Sequence, residues 1–498
     1  MQFQRDMRVS EREVRVKPMI TLQDILEIEN DEGILNFRCP ETGYLMWPLI
    51  RNVFICFIIR DLLYEVPLQS EQCTPRPQSA YLAVLKSCAH NILKGRDLKG
   101  SILISASGSH VLRNELYLNR LSDHFAFAAA DKTITLEALF VDWHWPFPRY
   151  NNRVLFDAPI LGISSLYGKF FTSVKHRECA KALIEFVTRR ARNLLDWSLS
   201  EERSNFLTTI LANNIAALPV RRHLYSRLFQ QTGTRILIRE EGCYGCSSVI
   251  NTIAHDSGII TAEYQHGMVT AGHYAYNFAE ALRSSEEYKK TLPQYFLSYG
   301  KWWTDQINAP VMKLNIGNPD RTESLKRIMS SNRQKIDLIV LGDGIETEKY
   351  LSFCTVLAKE LGSNYRTVFR PHPLERERVL RSYGRKAGDV IIEWDKELLE
   401  AFETTDIVVS EVSTGLFEAI GLVNRIFLWD TPKAKFSYPT HPFTVFSDAD
   451  DLVTKIQDCS SGRIDPLIAE EFWTPNWKQN YLAFLQSVCP GILDSTKC

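Results

Sequence analysis

The sequence predicts an α/β protein made of two domains, each with a parallel sheet that helices cover on both faces. Three observations support this. Short apolar runs alternate with helical spacing over residues 336–430, the same alternation recurs from residue 100 onward, and 498 residues exceed one ordinary core. Apolar strands separated by single helices are typical of buried parallel sheets. We therefore expect two doubly wound domains that face each other across a cleft.

The second half of the chain has the more regular pattern. Its predicted strands are 336–341, 367–369, 389–394, 406–411 and 425–430, and its predicted helices are 346–361, 396–405 and 413–423. A doubly wound sheet binds its ligand outside the carboxyl ends of the strands. We therefore expect one nucleotide-binding crevice formed by Gly342, Gly344, Arg370, His372, Pro373, Ser413, Thr414, Gly415 and Glu418. Ser413 to Gly415 open a predicted helix, where hydroxyls and free N–H groups can hold a phosphate, and Glu418 can reach a ribose hydroxyl.

The first half repeats the pattern with longer helices. Its predicted strands are 100–108, 135–141, 235–238, 259–264, 295–300 and 313–316, and its predicted helices are 114–125, 174–195, 200–230 and 245–256. The predicted division is a helical extension over 1–78, a first α/β domain over 79–320, a second over 321–470, and a final helix in 471–498 that packs back on the first domain.

Composition excludes some classes of protein. A formal net charge of −1 argues against a general nucleic-acid binder. Eleven scattered cysteines indicate a reduced, cytoplasmic protein, and the charged residues 1–17 lack the apolar core of a signal peptide. Residues 46–64 predict an amphipathic helix that packs on the protein itself, and the basic helix 174–195 predicts a solvated face. For the first helix the alternative is contact with a membrane surface or a partner, and for the second it is contact with an anionic acceptor or a phospholipid surface. The corresponding partner would be the inner membrane, bound peripherally, or an assembly complex.

Two neighbouring strand ends carry acid/base residues. Glu240 and Glu241 follow one predicted strand, and Gln265 and His266 follow the next. Paired carboxylates with a histidine suit acid/base or nucleophilic chemistry at a sugar carbon. The structural alternatives are that the glutamates pair with Arg239 or cap the next helix, and that His266 bonds to the backbone. Gln265 and the following His273 are expected to shape an acceptor pocket.

The polar motifs, taken in order, resemble those of GT-B glycosyltransferases. They are Glu240-Glu241-Gly242, Gln265-His266-Gly267, Tyr299-Gly300, Arg370-Pro371-His372-Pro373 and Ser413-Thr414. The set is similar to bacterial enzymes of capsule and lipopolysaccharide synthesis, and more narrowly to the sialic acid and Kdo transferases, which use CMP-sugars. The resemblance covers roughly residues 235–430.

The resemblance implies a role for each motif. Glu241 or Glu240 would be the general base or nucleophile, with His266 beside them. His372 would stabilise the departing phosphate, which Ser413 and Thr414 would hold. The implied partners are a nucleotide-sugar donor as co-substrate and a glycan or glycolipid acceptor, with no metal and no other cofactor.

The chain also departs from that pattern. It has Glu where many relatives have Asp, and its Gln-His-Gly corner is also similar to enzymes that use UDP-sugars or CDP-glycerol. A transferase with one of those donors, a nucleotide-sugar epimerase of similar fold and a non-catalytic scaffold therefore remain as alternatives.

Overall fold

A computed structural model of the protein describes residues 20–64, 77–138, 145–328, 334–458 and 460–494. Within them lie two seven-stranded, almost entirely parallel sheets, each at the centre of an α/β domain. This confirms the predicted fold class, a GT-B-like pair of Rossmann-type domains. Helices precede the first sheet: α1 Leu22–Leu26, α2 Trp47–Leu63 and α3 Pro77–Leu93.

The first domain contains strands β1 to β9. Their bounds are β1 Ile102–Ser107, β2 His110–Arg113, β3 Leu116–Asn119, β4 Thr133–Ala138, β5 Val154–Phe156, β6 Ile236–Arg239, β7 Ile260–Tyr264, β8 Tyr295–Ser298 and β9 Met312–Asn315. The sheet order is β5-β4-β1-β6-β7-β8-β9, all parallel, and β2 pairs with β3 in a separate hairpin. The helices are α4 Asp123–Ala128, α5 Ala158–Phe171, α6 Val174–Leu195, α7 Glu201–Thr232, α8 Ser248–Asp256, α9 Glu280–Arg283, α10 Glu286–Lys289, α11 Lys301–Asp305 and α12 Pro319–Ile328.

The second domain contains strands β10 to β16. They are β10 Asp337–Leu341, β11 Arg366–Arg370, β12 Lys386–Ala387, β13 Val390–Ile392, β14 Thr405–Ser410, β15 Arg425–Trp429 and β16 Thr444–Phe446. The sheet order is β12-β13-β11-β10-β14-β15-β16, and β12 alone is antiparallel to its neighbour. The helices are α13 Thr347–Leu361, α14 Arg376–Tyr383, α15 Leu398–Ala401, α16 Gly415–Glu418, α17 Pro432–Ser437 and α18 Ala449–Gln457. Two further helices, α19 Ala469–Phe472 and α20 Trp477–Val488, follow this domain in the chain.

Buried apolar strands explain why the predicted sheets form. Every residue of β10 is buried, as are three of the four residues of β6. Covering both faces of a parallel sheet requires such continuous apolar runs, which the sequence shows directly. The long helices α6 and α7 also form at their predicted positions, and the serines that precede them cap their first turns.

The helix predicted over 114–125 is wrong in its first half. The chain forms the β2–β3 hairpin there, with Arg113 paired to Leu116 around a two-residue turn. The turn residues Asn114 and Glu115 have φ values of 48° and 64°. Two consecutive left-handed residues match the twist of a tight hairpin. The turn therefore forms a hairpin although the apolar residues of this segment are spaced as in a helix.

Three helices predicted for the second half are shorter than expected. The helix predicted over 413–423 is the four-residue α16, and the one predicted over 396–405 is the four-residue α15. The helix predicted near the C-terminus is divided into α19 and α20. The predicted series of strands also missed β12 and β16, which have only two and three residues and therefore give weak sequence patterns.

Helix α2 packs on the protein itself through one side, as the sequence predicted, but one of the buried residues on that side is charged. Arg51 forms a two-point ion pair with Glu29 at 2.6 and 2.7 Å and donates to the carbonyl oxygens of Tyr274 and Asn277 at 2.7 Å. The helix therefore belongs to the interior of the first domain. Residues 1–17 and the end of the strand predicted over 135–141 lie outside the described residues.

Helix α12 and its surroundings join the two domains. Its Arg321 donates to the carbonyl oxygens of Glu418 and Ile420 in the second domain at 2.7 and 3.1 Å. Arg113 of the β2–β3 hairpin lies 3.3 Å from Glu397 of the second domain. Helix α20 packs against the first sheet, where Tyr481 is fully buried. Among the described residues, no helix has the length and apolar character needed to cross a bilayer.

We expect Arg51→Met to lower the free energy of unfolding by about 3–5 kcal/mol, because Glu29 would remain charged in an apolar interior without its partner. Urea denaturation measures this difference. Arg38→Met is the matched control, since the Arg38–Glu287 pair is about half exposed and should contribute less than about 1 kcal/mol. Equal effects of the two substitutions would contradict the assignment of α2 to the interior.

Candidate active site

The carboxyl ends of the two sheets face each other across a cleft of about 550 Å³. Eight of the nine residues predicted to bind the nucleotide line it: Gly342, Arg370, His372, Pro373, Ser413, Thr414, Gly415 and Glu418. From the first domain, Gln265 and His266 line the opposite wall. The topology therefore brings together most of the residues that the sequence placed at strand ends.

Gly344 is the ninth residue, and it supports His372 without lining the cleft. Its φ is +86°, and a Cβ atom at this position would lie 3.0 Å from Nδ1 of His372. The His372 ring is further held because Nδ1 accepts a hydrogen bond from the Leu374 N–H at 3.3 Å. Its Nε2 is left for a ligand or solvent. Burial lowers the pKa of His372, and Asp343 opposes that shift.

The phosphate site predicted at a helix N-terminus is not formed as expected. Helix α16 has only four residues, too few for a substantial helix dipole. The Ser413 hydroxyl accepts a hydrogen bond from the Gly415 N–H at 3.2 Å, so it stabilises the turn. Ser413 and Thr414 still line the cleft, but as a loop.

Arginines supply the positive charge of the cleft. Arg370 is the last residue of β11, and its guanidinium donates to the Lys396 carbonyl oxygen at 2.6 Å. Arg376 of α14 and Arg120 of the first domain also line the cleft, and neither forms an ion pair with another described residue. The sequence analysis missed both. Neither belongs to a motif, and Arg120 faces Arg376 only because the domains close over each other.

Mutual repulsion of these arginines is evident in their pKa values. Burial and then Arg376 lower the pKa of Arg370 to about 10. Burial and then Arg120 lower the pKa of Arg376, whose Nε is buried with no hydrogen-bond partner among the described residues. Glu418 and Asp395 oppose the shift of Arg370, and Asp395 opposes that of Arg376, but no carboxylate forms an ion pair with either arginine in the described part of the chain. Like charges brought together in this way create a site for an anion.

Glu418 lies on the floor of the cleft near these arginines. Burial raises the pKa of its carboxyl group, while Arg120 and Arg321 oppose the shift. The carboxylate forms no close ion pair among the described residues. It is therefore available as an acceptor for a ligand hydroxyl, as the sequence analysis expected for a ribose.

Gln265 and His273 differ in their placement. Gln265 is buried, and its amide makes three hydrogen bonds: Oε1 accepts from Ser298 Oγ and Tyr299 N, and Nε2 donates to the Gly267 carbonyl oxygen. It holds the corner that carries His266. His273 lies inside the first domain, where its Nε2 is 3.1 Å from the Tyr244 hydroxyl oxygen. It lines neither the cleft nor the cavity beside Glu240 and Glu241.

Glu240 and Glu241 line a second cavity of about 250 Å³, which adjoins the cleft in the first domain. Asp157, Arg221 and Tyr225 also line this cavity. Glu240 accepts a hydrogen bond from the Ser107 N–H at 2.6 Å, so part of its role is to fix the end of β1. Side-chain atoms of Glu240, Glu241 and His266 all lie within 4.8 Å of one another. His266 therefore stands between the two cavities.

Glu241 is the better placed of the two glutamates for proton transfer. It has a left-handed backbone with φ of 54°, an uncommon conformation for a residue with a side chain. Burial, and then the charge of Glu240, raise its pKa to about 7, with Arg239 opposing. Burial lowers the pKa of His266, whose Nδ1 has no hydrogen-bond partner among the described residues.

In the described part of the chain, two groups of side chains have the composition of a metal site. One is Glu240, Glu241 and His266. The other is Asp343, Glu346 and Glu411 below the second domain's side of the cleft, and there the Lys433 ammonium already contacts all three carboxylates. Lys433 thus takes the place of a cation in the second group, and Asp343 also orders the loop that supports His372.

Comparison with known proteins finds no matching protein family and no matching curated protein. Solved structures match at the level of the fold. A UDP-GlcNAc 2-epimerase from Neisseria meningitidis is 10% identical, with 78% of this chain and 99% of that chain covered and a TM-score of 0.42. A UDP-glucosyltransferase from Polygonum tinctorium is 12% identical, with 80% and 100% covered and a TM-score of 0.40. The wall teichoic acid polymerase TagF is 9% identical, with 82% and 93% covered and a TM-score of 0.36. At such low scores these matches carry no argument about activity.

We expect Glu241→Gln to stabilise the protein at pH 8 by about 1–3 kcal/mol, because a carboxyl group whose pKa is raised is costly to ionise in the folded state. The folded protein binds this proton more tightly than the unfolded chain does. The loss of stability from ionising Glu241 is therefore absent below its unfolded-state pKa of 4.5, and it grows as the pH rises to the folded-state pKa of about 7. Thermal unfolding at pH 8 and pH 4.5 measures it, with exposed Glu360→Gln as control. A lower melting temperature at pH 8 would contradict this placement of Glu241.

Proposed function

We propose that the protein transfers a sugar from a nucleotide donor to a glycan acceptor across the cleft. One observation carries the proposal: three arginines of the cleft, Arg370 and Arg376 from the second domain and Arg120 from the first, form no ion pair among the described residues. On the first domain's side, the His266 imidazole lines the cleft and lies within 4.8 Å of the Glu241 carboxylate. An activated sugar needs positive charge at its leaving phosphate and a base near its anomeric carbon. The first requirement is met by Arg120, Arg370 and Arg376.

The donor is expected to carry two anionic groups, because three guanidinium groups surround one space. The sequence motifs favour a CMP-activated ulosonic acid such as Kdo or sialic acid, which has a phosphate and a sugar carboxylate. UDP-sugars and CDP-glycerol have two phosphates instead. Both classes suit the arginines, so a direct binding comparison must decide between them.

Residues on both sides of the cleft take part in the transfer step. An acceptor hydroxyl oxygen attacks the anomeric carbon, and the bond from that carbon to the phosphate oxygen breaks. The hydroxyl proton passes to Glu241, whose carboxylate lies within 4.8 Å of the His266 ring. The nucleotide departs as an anion, and its added charge is stabilised by His372 and the arginines.

The second cavity favours a transferase over an epimerase. An epimerase needs space for its nucleotide sugar alone, whereas a transferase must also admit an acceptor. The cavity beside Glu241 supplies that additional space in the first domain and has a polar lining that includes Arg221 and Tyr225. We therefore expect the acceptor hydroxyl to approach from this side.

Nucleotide binding is the first test. We expect one of CMP, CDP, UDP and GDP to raise the melting temperature clearly above the others, because a ligand that binds only the folded state stabilises it. Arg376→Ala and His372→Ala should each weaken this nucleotide by about 10–100-fold, since a charge-assisted contact to phosphate is lost.

Lys359→Ala, a change of an exposed lysine on α13, is the matched control for the loss of one positive charge. Calorimetric titration gives the dissociation constants. The absence of a shift with all four nucleotides would overturn the donor site.

Proton transfer is the second test. With the best donor and a glycan acceptor, Glu241→Gln should reduce transfer by at least about a hundredfold while nucleotide affinity stays within about twofold. In the unaltered protein, kcat/KM should fall below pH 7, because protonated Glu241 cannot accept the acceptor's proton.

Release of nucleotide with and without acceptor provides the measurement. Equal loss of nucleotide affinity and transfer in Glu241→Gln would show a structural role. Conversion of the donor to a stereoisomer without any acceptor would identify an epimerase.

A further inference from the structure

Two neighbouring helices of the first domain expose an unusual amount of apolar surface. Large exposed apolar side chains lie on α3, on α5 and at the first residue of α6: Tyr81, Leu82, Leu85, Ile92, Leu93, Leu161, Ile163, Leu166, Phe170, Phe171 and Val174. Phe170 is 80% exposed and Leu93 is 76% exposed. No other neighbouring helices in the described part of the chain expose as many. We call this surface the α3–α5 face.

The two helices pack side by side, so their exposed side chains belong to one region. Val84 of α3 lies against Gly162 of α5, where a Cβ atom would be 4.0 Å from Val84 Cγ1. Their inner sides are occupied by the domain itself: Ser87 is fully buried, and Gly168 packs closely against the backbone of α7. The outer sides remain for a partner.

The charged residues on and directly after α3 and α5 are mostly basic. Neither helix contains Asp or Glu. Five exposed basic residues lie on these helices or directly after them: Lys86, Lys94, Lys169, Lys175 and Arg177. None of them pairs with a carboxylate among the described residues, and Glu178 is the one acidic residue in segments 77–94 and 158–178. Apolar side chains with a basic rim are the surface that an anionic bilayer binds.

Leu161 is the exception among these exposed residues. It lies three and seven residues before the buried Ser164 and Gly168, so it shares their inner side of α5, where it lines the cavity that contains Glu240 and Glu241. The second cavity therefore lies on the side of α5 away from Leu166 and Phe170. The basic helix α6 contributes to the α3–α5 face only at its start.

We propose that the α3–α5 face docks on the surface of an anionic lipid bilayer, with the apolar side chains inserted among the lipids and the basic residues on the phosphates. This inference needs no sugar transfer, so it stands or falls apart from the proposed function. Membrane binding by such a surface depends both on apolar insertion and on charge, and the two contributions can be separated.

The test is flotation of the full-length protein with vesicles of phosphatidylcholine and phosphatidylglycerol in a ratio of two to one. We expect binding at low salt, weaker binding in high salt and still weaker binding to pure phosphatidylcholine. The double variant Leu166→Glu with Phe170→Glu should lose binding by about tenfold or more, because two inserted side chains become charged. Lys169→Glu with Lys175→Glu should lose binding to the anionic vesicles only.

Matched controls are Leu467→Glu, an exposed leucine of the carboxyl-terminal segment, and Lys359→Glu on α13, which should bind as the unaltered protein does. Melting temperatures show that each variant is folded. The proposal is overturned if the unaltered protein does not float, or if the Leu166 and Phe170 variant floats equally well. It is also overturned if light scattering shows a dimer that this variant converts to a monomer, since a second copy would then cover the face.

Discussion

The direction of the strands is the constraint on which the site depends. Almost all strands of each sheet are parallel, so their carboxyl ends meet at one edge, and the two edges face each other. The loops after β7, β11 and β14 consequently approach one cleft although they are far apart in the sequence. An antiparallel arrangement would distribute His266, Arg370 and Ser413 over opposite edges. The site is therefore a consequence of topology before it is a consequence of any single residue.

The two clusters of charged side chains in the second domain differ in whether their charges have partners of opposite sign. At Lys433 the carboxylates of Asp343, Glu346 and Glu411 already surround an ammonium group, which is the arrangement of a structural ion-pair network. At Arg376 the guanidinium faces another arginine, and no carboxylate pairs with it among the described residues. The first group is complete within the protein. The second requires an anion from outside, which is why the proposed donor phosphate is assigned to it.

The longer helices and the central strands were predictable because the spacing of apolar residues within each segment determines its secondary structure. Strands β6, β7, β10 and β14 consist of apolar runs, and α6 lies at its predicted bounds. The β2–β3 hairpin was not predictable from helical spacing, because its turn depends on the left-handed conformation of Asn114 and Glu115. The short α16 likewise follows from packing around Gly415, where a Cβ atom would lie 2.5 Å from Leu341.

The sequence by itself determined which residues stand at strand ends, because strand periodicity and the polar residues that follow are local properties. It thereby identified Arg370, His372 and Glu418 as residues of one crevice, and His266 as a residue of the acid/base group in the first domain. Only the tertiary structure decided that Glu240 is bound to Ser107, that Glu241 opens to a separate cavity, and that Arg120 meets Arg376 across the cleft. These are contacts between segments distant in the chain, and no local pattern encodes the distance between them.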